Sequence, residues 1–529
     1  MKRLFAALAA AVALTVVGTA GADPMRYGAA DDWPKFHPCG DIWWTSADDI
    51  GYRDLRMTIQ WDAGTPAVIP YEDNIRAALD CAMLNGIRPI LAIYPSKPSV
   101  VGSNGAAQAQ FAAFVALVGQ AFPDVGDFVV GNEPNVNRFW QPQYAEGKDA
   151  AATDYEHTLA QSYDALKTVR PDSTVWGPAI SSRGNDNAHA SSNPSHSPVW
   201  FIKYLGDAYK ASGRSKPIFD VFDMHPYPPV QDTDRFSKKF PWPQAGAANL
   251  DRIKQALWDA FDGTAQPDAE GGLPFALDEA GEQTVVTGHD SAYDGTPENV
   301  APISEAQQAA AHVELAEIGA CDPAVETVLW FPLIDDTGVS TGFQSGNLFA
   351  DQAHKQSYDA MKAKIASAQG TCQGGVAGVP TGWAHTGHVL GAQPIFGGPG
   401  AATGSQPTSR PFGVTGVWTS LTVGEDASYT ATLTKVAGPK GGAPKKIATL
   451  SGLARASYRP GLNFRVRKPF AAGYYQFTVV LKAATNPART TTLVSRTFRI
   501  GAPKPKAQQK GTAKPKPKPR PAPTIKKTK

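Results

Sequence analysis

Two glutamates, 146 residues apart, each follow a short apolar run, and carboxylates in that setting are suited to acid–base and nucleophilic work. Glu133 lies in Asp127-Phe128-Val129-Val130-Gly131-Asn132-Glu133-Pro134-Asn135, where a strand-like segment ends at a proline that stops further pairing. Glu279 lies in Leu273-Pro274-Phe275-Ala276-Leu277-Asp278-Glu279-Ala280-Gly281. A carboxylate at the carboxyl end of a buried parallel strand occupies the catalytic rim of a β/α barrel. Two facing each other across that mouth suit cleavage of a glycosidic bond: one protonates the leaving oxygen while the other attacks the anomeric carbon. Asn132 would reach a substrate hydroxyl.

The elements that must hold this pair follow from the alternation of the chain. From about Met25 to Ala368, strand-like and helix-like segments alternate, which calls for a parallel sheet, and eight rounds call for a closed (β/α)8 barrel. Strands are expected near 26–30, 54–60, 87–94, 127–131, 174–177, 219–224, 274–277 and 327–331. Helices are expected at 71–85, 106–122, 154–169, 199–211, 249–261, 304–318 and 355–368, with Ser304 and Gln307 at capping-box spacing. Glu133 and Glu279 then close the fourth and seventh strands.

With those strands assigned, the sequence resembles the clan A retaining glycoside hydrolases. Asn132-Glu133-Pro134 after the fourth strand and Glu279-x-Gly281 after the seventh carry the likeness, and the family 39 xylosidase and endoglycosidase branch or the family 5 cellulase-like branch fits best. The resemblance implies Glu133 as acid/base and Glu279 as nucleophile. It further implies Arg56 beside the nucleophile, His225 and Tyr227 of a His-x-Tyr motif after strand six, and Trp330 on strand eight as an aromatic floor for the sugar. Each has a plain structural alternative: Arg56 as a barrel ion pair, His225 as a satisfied loop histidine, Trp330 as core packing. Glu282 is a rival nucleophile. Asp31, Asp32, Asp335 and Asp336 follow the first and last strands and would contact substrate or solvate loops. Of Trp43, Trp44, Trp61, Trp140 and Trp242, near the expected rim loops, two or three would stack on sugar.

The 529 residues exceed one ordinary domain, and a hydrophobic content of 42% supports a large core. Residues 1–22 carry the marks of a secretory signal: Lys2 and Arg3, an apolar Leu4-to-Val17 stretch and Ala20-Gly21-Ala22. A secreted or wall-associated protein with no membrane span after signal removal is expected. Four cysteines suit an oxidising compartment; their clustering favours Cys39–Cys81 with Cys321–Cys372, and their spacing speaks against zinc. The barrel is assigned to 23–373. Residues 374–410 have a linker's Gly/Pro-rich composition, and 411–501 show short alternating strands expected to form an all-β sandwich. The tail over 502–529 holds nine Lys and one Arg with no acid, so within a formal +2 the chain before it stands at −8. That acidic body excludes a nucleic-acid binder, and the tail would be disordered and able to touch an anionic wall polymer. No cofactor is needed for such chemistry; the partner is a polysaccharide or oligosaccharide. Two other classes, a catalytically silent glycan-binding barrel and a wall-anchored adhesion protein, compete with the enzyme.

Overall fold

In the computed structural model of the chain, residues 24–229, 235–294, 301–339, 342–393, 396–397, 409–410, 415–456, 458 and 461–501 are described. The expected signal and basic tail lie outside them. The chain divides into two compact units, with the boundary between Thr386 and Gly387.

The first unit is a closed eight-stranded parallel barrel. Its strands are β1 (Arg26–Ala30), β2 (Asp54–Trp61), β3 (Arg88–Pro95), β4 (Asp127–Val130), β5 (Thr174–Ser181), β6 (Val221–His225), β7 (Phe275–Ala280) and β8 (Val325–Trp330). Each is followed by a helix: α1 (Ile42–Ile50), α2 (Glu72–Leu84), α3 (Gly105–Ala121), α4 (Ala151–Val169), α5 (Pro198–Ser212), α6 (Leu250–Phe261), α7 (Glu305–Ala320) and α8 (Gln356–Ala368). The expected capping box forms at the start of α7. Helix α1 was absent from the sequence expectation. At nine residues it is short, but Asp41 caps its first turn and Gly51, at φ 97°, ends it in the left-handed region. It carries Trp43 and Trp44 into the core, so neither is a rim aromatic, and Trp61 and Trp140 are buried in the same core.

Strand parity decides which side chains reach the barrel axis, because successive residues point to opposite faces. On β2, Leu55, Met57, Ile59 and Trp61 join the core between sheet and helices, while Arg56, Thr58 and Gln60 line a central cavity. On β3, Ile90 and Ala92 fill the barrel interior and Tyr94 lines the cavity above them. Trp176, Val129, Ala276 and Leu329 complete the interior layer. Beneath it, Arg88 pairs with Asp54 at 2.7 Å and reaches Asp127 and Glu326 at 3.5 and 3.6 Å. A packed and salt-bridged lower end leaves the carboxyl ends of the strands as the open face.

Cys39–Cys81 ties the segment before α1 to helix α2, and Cys321–Cys372 ties the end of α7 to the segment after α8. Residues beyond α8 stay on this unit: Gln373 and Gly375 donate backbone N–H groups to Glu317, and Thr386 donates to Gln255. No helix among the described residues is long and apolar enough to cross a membrane.

The second unit is all β. Strands β9 (Gly416–Ser420) and β12 (Gly461–Arg465) pair in one sheet; β10 (Ala427–Val436), β11 (Lys445–Ala454), β13 (Gly473–Ala483), β14 (Thr490–Val494) and β15 (Phe498–Ile500) belong to a second. Val417, Leu462 and Phe464 of the first sheet share one apolar core with Ala431, Leu433, Phe477 and Val479 of the second. Val389 and Tyr475 are buried in that core, which makes Tyr475 a packing residue. Arg489 forms a buried two-pronged pair with Glu425 at 2.7 and 2.6 Å.

Candidate active site

Glu133 is set by three departures from regular backbone. Gly131 has φ 101°, and a Cβ there would come 2.8 Å from the Tyr155 ring, so the strand can leave the sheet at that point only through glycine. Glu133 itself has φ 38°, a conformation that costs a non-glycine residue of order 1–3 kcal/mol and that clusters at functional sites. Its N–H donates to the Ala179 carbonyl at 2.9 Å, and the register of β5 against β6 shifts between Gly177 and Ile180 to present that carbonyl. Fully buried Asn135 then fastens the following loop, donating to the Ser181 and His196 carbonyls and accepting from the Ser181 N–H.

Glu133 and Glu279 both line a cavity of about 700 Å³ at the carboxyl ends of the strands. His225, at the end of β6 and wholly buried behind the lining, touches both: its Nδ1 lies 3.0 Å from Glu133 Oε1 and 3.7 Å from Glu279 Oε2. The Tyr227 hydroxyl donates to Glu279 Oε1 at 2.9 Å. Arg56 donates to Asn132 Oδ1 at 2.9 Å and reaches Glu279 Oε2 at 3.5 Å. Asn132, Arg56 and Tyr227 thus line one space with the two glutamates, and His225 backs the pair.

Below this layer lies a carboxylate that the sequence did not single out. Asp278, fully buried, approaches Arg56 Nε at 3.0 Å and His225 Nε2 at 3.4 Å, without hydrogen-bond alignment to either. One side chain therefore anchors both cations, and each cation faces a cavity glutamate. Burial pulls His225 down, but Glu279, Asp278 and Glu133 outweigh it and raise the imidazole to about 9, so it is cationic at neutral pH. Burial would also discharge Arg56, and Asp278 and Glu279 more than restore its charge. Asp223 is driven well above the carboxylate range by burial and by Asp278 beside it, even though it accepts the Ala179 N–H. Tyr227 is held neutral by burial and by Glu279, and so is a proton donor to that carboxylate.

Geometry removes the aromatic floor expected of Trp330 and the rival nucleophile Glu282. Trp330 is not a floor to the cavity: Leu329 fills the barrel interior, so Trp330 points outward, where it packs between Tyr27 and Tyr52 and against His312. The aromatic that the cavity receives from this strand end is the next residue, Phe331. Glu282 is buried outside the cavity lining, and burial with nearby Glu314 raises it to about 8. Of the early aspartates, Asp31 and Asp32 line the cavity; Asp31 also accepts from Trp43 Nε1 and the Leu333 N–H, and its burial raises it to about 6. Asp336 lines the cavity, whereas Asp335 is buried against Lys355 at 2.7 Å.

Sequence reading also missed the aromatic lining. Trp33, Phe36, Tyr94, Phe139 and Phe343 face the cavity, and none of the five tryptophans proposed for sugar stacking does. Trp33 and Phe36 carried a usable signal, since they follow β1 directly and the carboxyl-end rule that selected Glu133 applies to them equally.

No family model and no curated protein matches the chain. Among solved structures it is similar to a family 39 glycoside hydrolase from the gut symbiont Bacteroides cellulosilyticus WH2, at 16% identity and a TM-score of 0.46 over 84% of this chain and 81% of that one. It is also similar to a glucosidase from Croceicoccus marinus, at 12% identity and a TM-score of 0.44 over 84% of this chain and 94% of that one. A broad-specificity endoglucanase from Clostridium longisporum gives 13% identity and a TM-score of 0.38 over 61% and 85%. Likenesses this distant assign neither an activity nor a residue.

Proposed function

We propose that the protein is a retaining glycoside hydrolase acting on a β-linked glycan. The observation that carries this reading is the shared contact of Glu133 and Glu279 with one nitrogen of His225 inside a cavity large enough for sugar. Those two contacts hold the facing carboxylate oxygens within about 7 Å of each other, compatible with the ~5–5.5 Å spacing of retaining enzymes, and this supports the double-displacement reading.

In the first step Glu279 attacks the anomeric carbon, the bond to the leaving oxygen breaks, and Glu133 gives that oxygen its proton. In the second step Glu133 takes a proton from water, the resulting hydroxide attacks the same carbon, and the Glu279 carboxylate is released. Arg56 and the neutral Tyr227 hydroxyl orient Glu279 through its two oxygens. Asn132, fixed by Arg56, is placed for the hydroxyl next to the anomeric carbon. The signal-like first 22 residues and the two disulfides support export.

The test is hydrolysis of a panel of β-glycans and aryl β-glycosides by the unmodified protein, Glu133→Ala and Glu279→Ala. Loss of glycan cleavage in both is expected. Glu133→Ala should keep activity on dinitrophenyl glycosides, whose leaving group needs no proton. Proton NMR of the first product should show the β-anomer. An α-anomer, or cleavage that survives in Glu279→Ala, would refute the mechanism.

A further inference from the structure

Beyond the reacting pair, the barrel exposes two aromatic rings that its own packing does not explain. Phe36 is 52% exposed and Tyr71 is 62% exposed, and these are the barrel's only exposed large aromatic residues among the described ones. They touch each other edge to face, with centroids 5.2 Å apart and planes at 87°. Phe36 also lines the cavity that holds Glu133 and Glu279.

The turn that carries Phe36 is firmly built. Trp33 donates its N–H to Asp31 and its Nε1 to Asp41, and His37 stacks on the Trp33 ring at 3.9 Å with planes 6° apart. Lys35, itself buried, donates to the Thr58 carbonyl and pairs with Asp32 at 2.9 Å. With its neighbours fastened inward, Phe36 is held outward. Tyr71 is presented by a second device: it precedes α2 with φ 56° and ψ 33°, left-handed values unfavourable to a side chain, without a capping bond in return. A strained residue that exposes an aromatic ring against another exposed ring is arranged for something outside the fold.

We propose that Phe36 and Tyr71 form a remote sugar-stacking platform, continuous with the catalytic cavity, that binds a unit of the glycan beyond the sugar being cleaved. This rests on the glycosidase reading and deepens it. An edge-to-face pair offers one flat face and one ridge to the apolar side of a pyranose ring. Phe36 follows β1 and Tyr71 follows β2, so the platform stands on the arc of the rim between the strands that carry Glu133 and Glu279. A sugar seated there is removed from the one being cleaved, so the substrate is a chain of several units.

The probes are disaccharide-to-hexasaccharide ladders of the β-1,4-glucan and β-1,4-xylan series, with the matching p-nitrophenyl glycosides. Phe36→Ala and Tyr71→Ala should each raise KM for the longer members of the cleaved series about tenfold, the effect of one lost stacking contact. Tyr71→Ala, at a position outside the cavity lining, should leave hydrolysis of a p-nitrophenyl monosaccharide unaltered, since that substrate fills only the site at the reacting pair. Tyr71→Gly separates ligand from fold: it removes the ring and the backbone strain together, so it should keep or raise Tm while losing affinity for long chains. Unchanged KM across the ladder in the Phe36→Ala/Tyr71→Ala double variant would overturn the platform and leave the glycosidase reading standing. Absence of cleavage and binding of every probe by the unmodified protein would overturn both.

Discussion

Replacing His225 by glutamine keeps a polar side chain between the two cavity glutamates and removes the charge. In the folded protein the imidazole is raised from its ordinary 6.5 to about 9: burial favours the neutral ring, and Glu279, Asp278 and Glu133 overcome it. Because the folded-state value lies above the unfolded one, the folded state holds the proton more tightly. The resulting stabilisation is complete below about pH 6.5 and disappears as the pH rises through about 9. The gap corresponds to about 3 kcal/mol, and since His225 is wholly buried no discount for solvent screening applies. Urea unfolding of the unmodified protein and of His225→Gln, followed by tryptophan fluorescence at about pH 6 and about pH 9.5, measures it. The unmodified protein should lose about 3 kcal/mol more than the variant across that interval. Parallel losses in the two proteins would refute the claim that His225 is a cation held by the three carboxylates around it.

Three other outcomes are expected. Glu282→Gln should stabilise the protein chiefly in alkali. Its carboxyl is raised from 4.5 to about 8, so the cost of ionising it in the fold grows from about pH 4.5 and is complete above about pH 8, and the Tm gain should widen over that range. Trp330→Ala should cost about 3–5 kcal/mol of stability by opening a core cavity, whereas Phe331→Ala should mainly impair catalysis; equal effects in thermal melts and rate assays would contradict the orientations of the two rings. Tyr227→Phe removes a buried hydrogen bond to a carboxylate worth about 1.5–3 kcal/mol, so Tm should fall and kcat/KM on an aryl glycoside should drop roughly tenfold to hundredfold. A variant with unaltered kcat/KM would remove Tyr227 from the site.

Much of this was legible in the linear chain because hydrophobic periodicity and turn chemistry are local. The alternation of strand and helix patterns gave all eight barrel strands to within a few residues, and Gly131 and Pro134 marked the point where the fourth strand stops. The capping box at Ser304 and both cysteine pairings were readable for the same reason. Helix α1 escaped although Asp41 and Gly51 mark its start and stop, because nine residues offer only about two and a half turns over which a helical period can show.

What the tertiary structure decided was direction and company. Whether Trp330 or Phe331 enters the barrel depends on the register of β8, and a shift of one residue reverses every side chain on a strand. Asp278 stands beside Glu279 in the sequence, yet its role as common anchor arises only where β2 and β6 bring Arg56 and His225 to it from 222 and 53 residues away. The raised imidazole of His225 is likewise a sum over three strands, because charge interacts through space and burial is a property of the closed barrel. Residue types and local spacing determined that a pair of carboxylates would stand at a barrel's open end; packing determined which groups charge them, which ring faces the cavity and which rings are left exposed beside it.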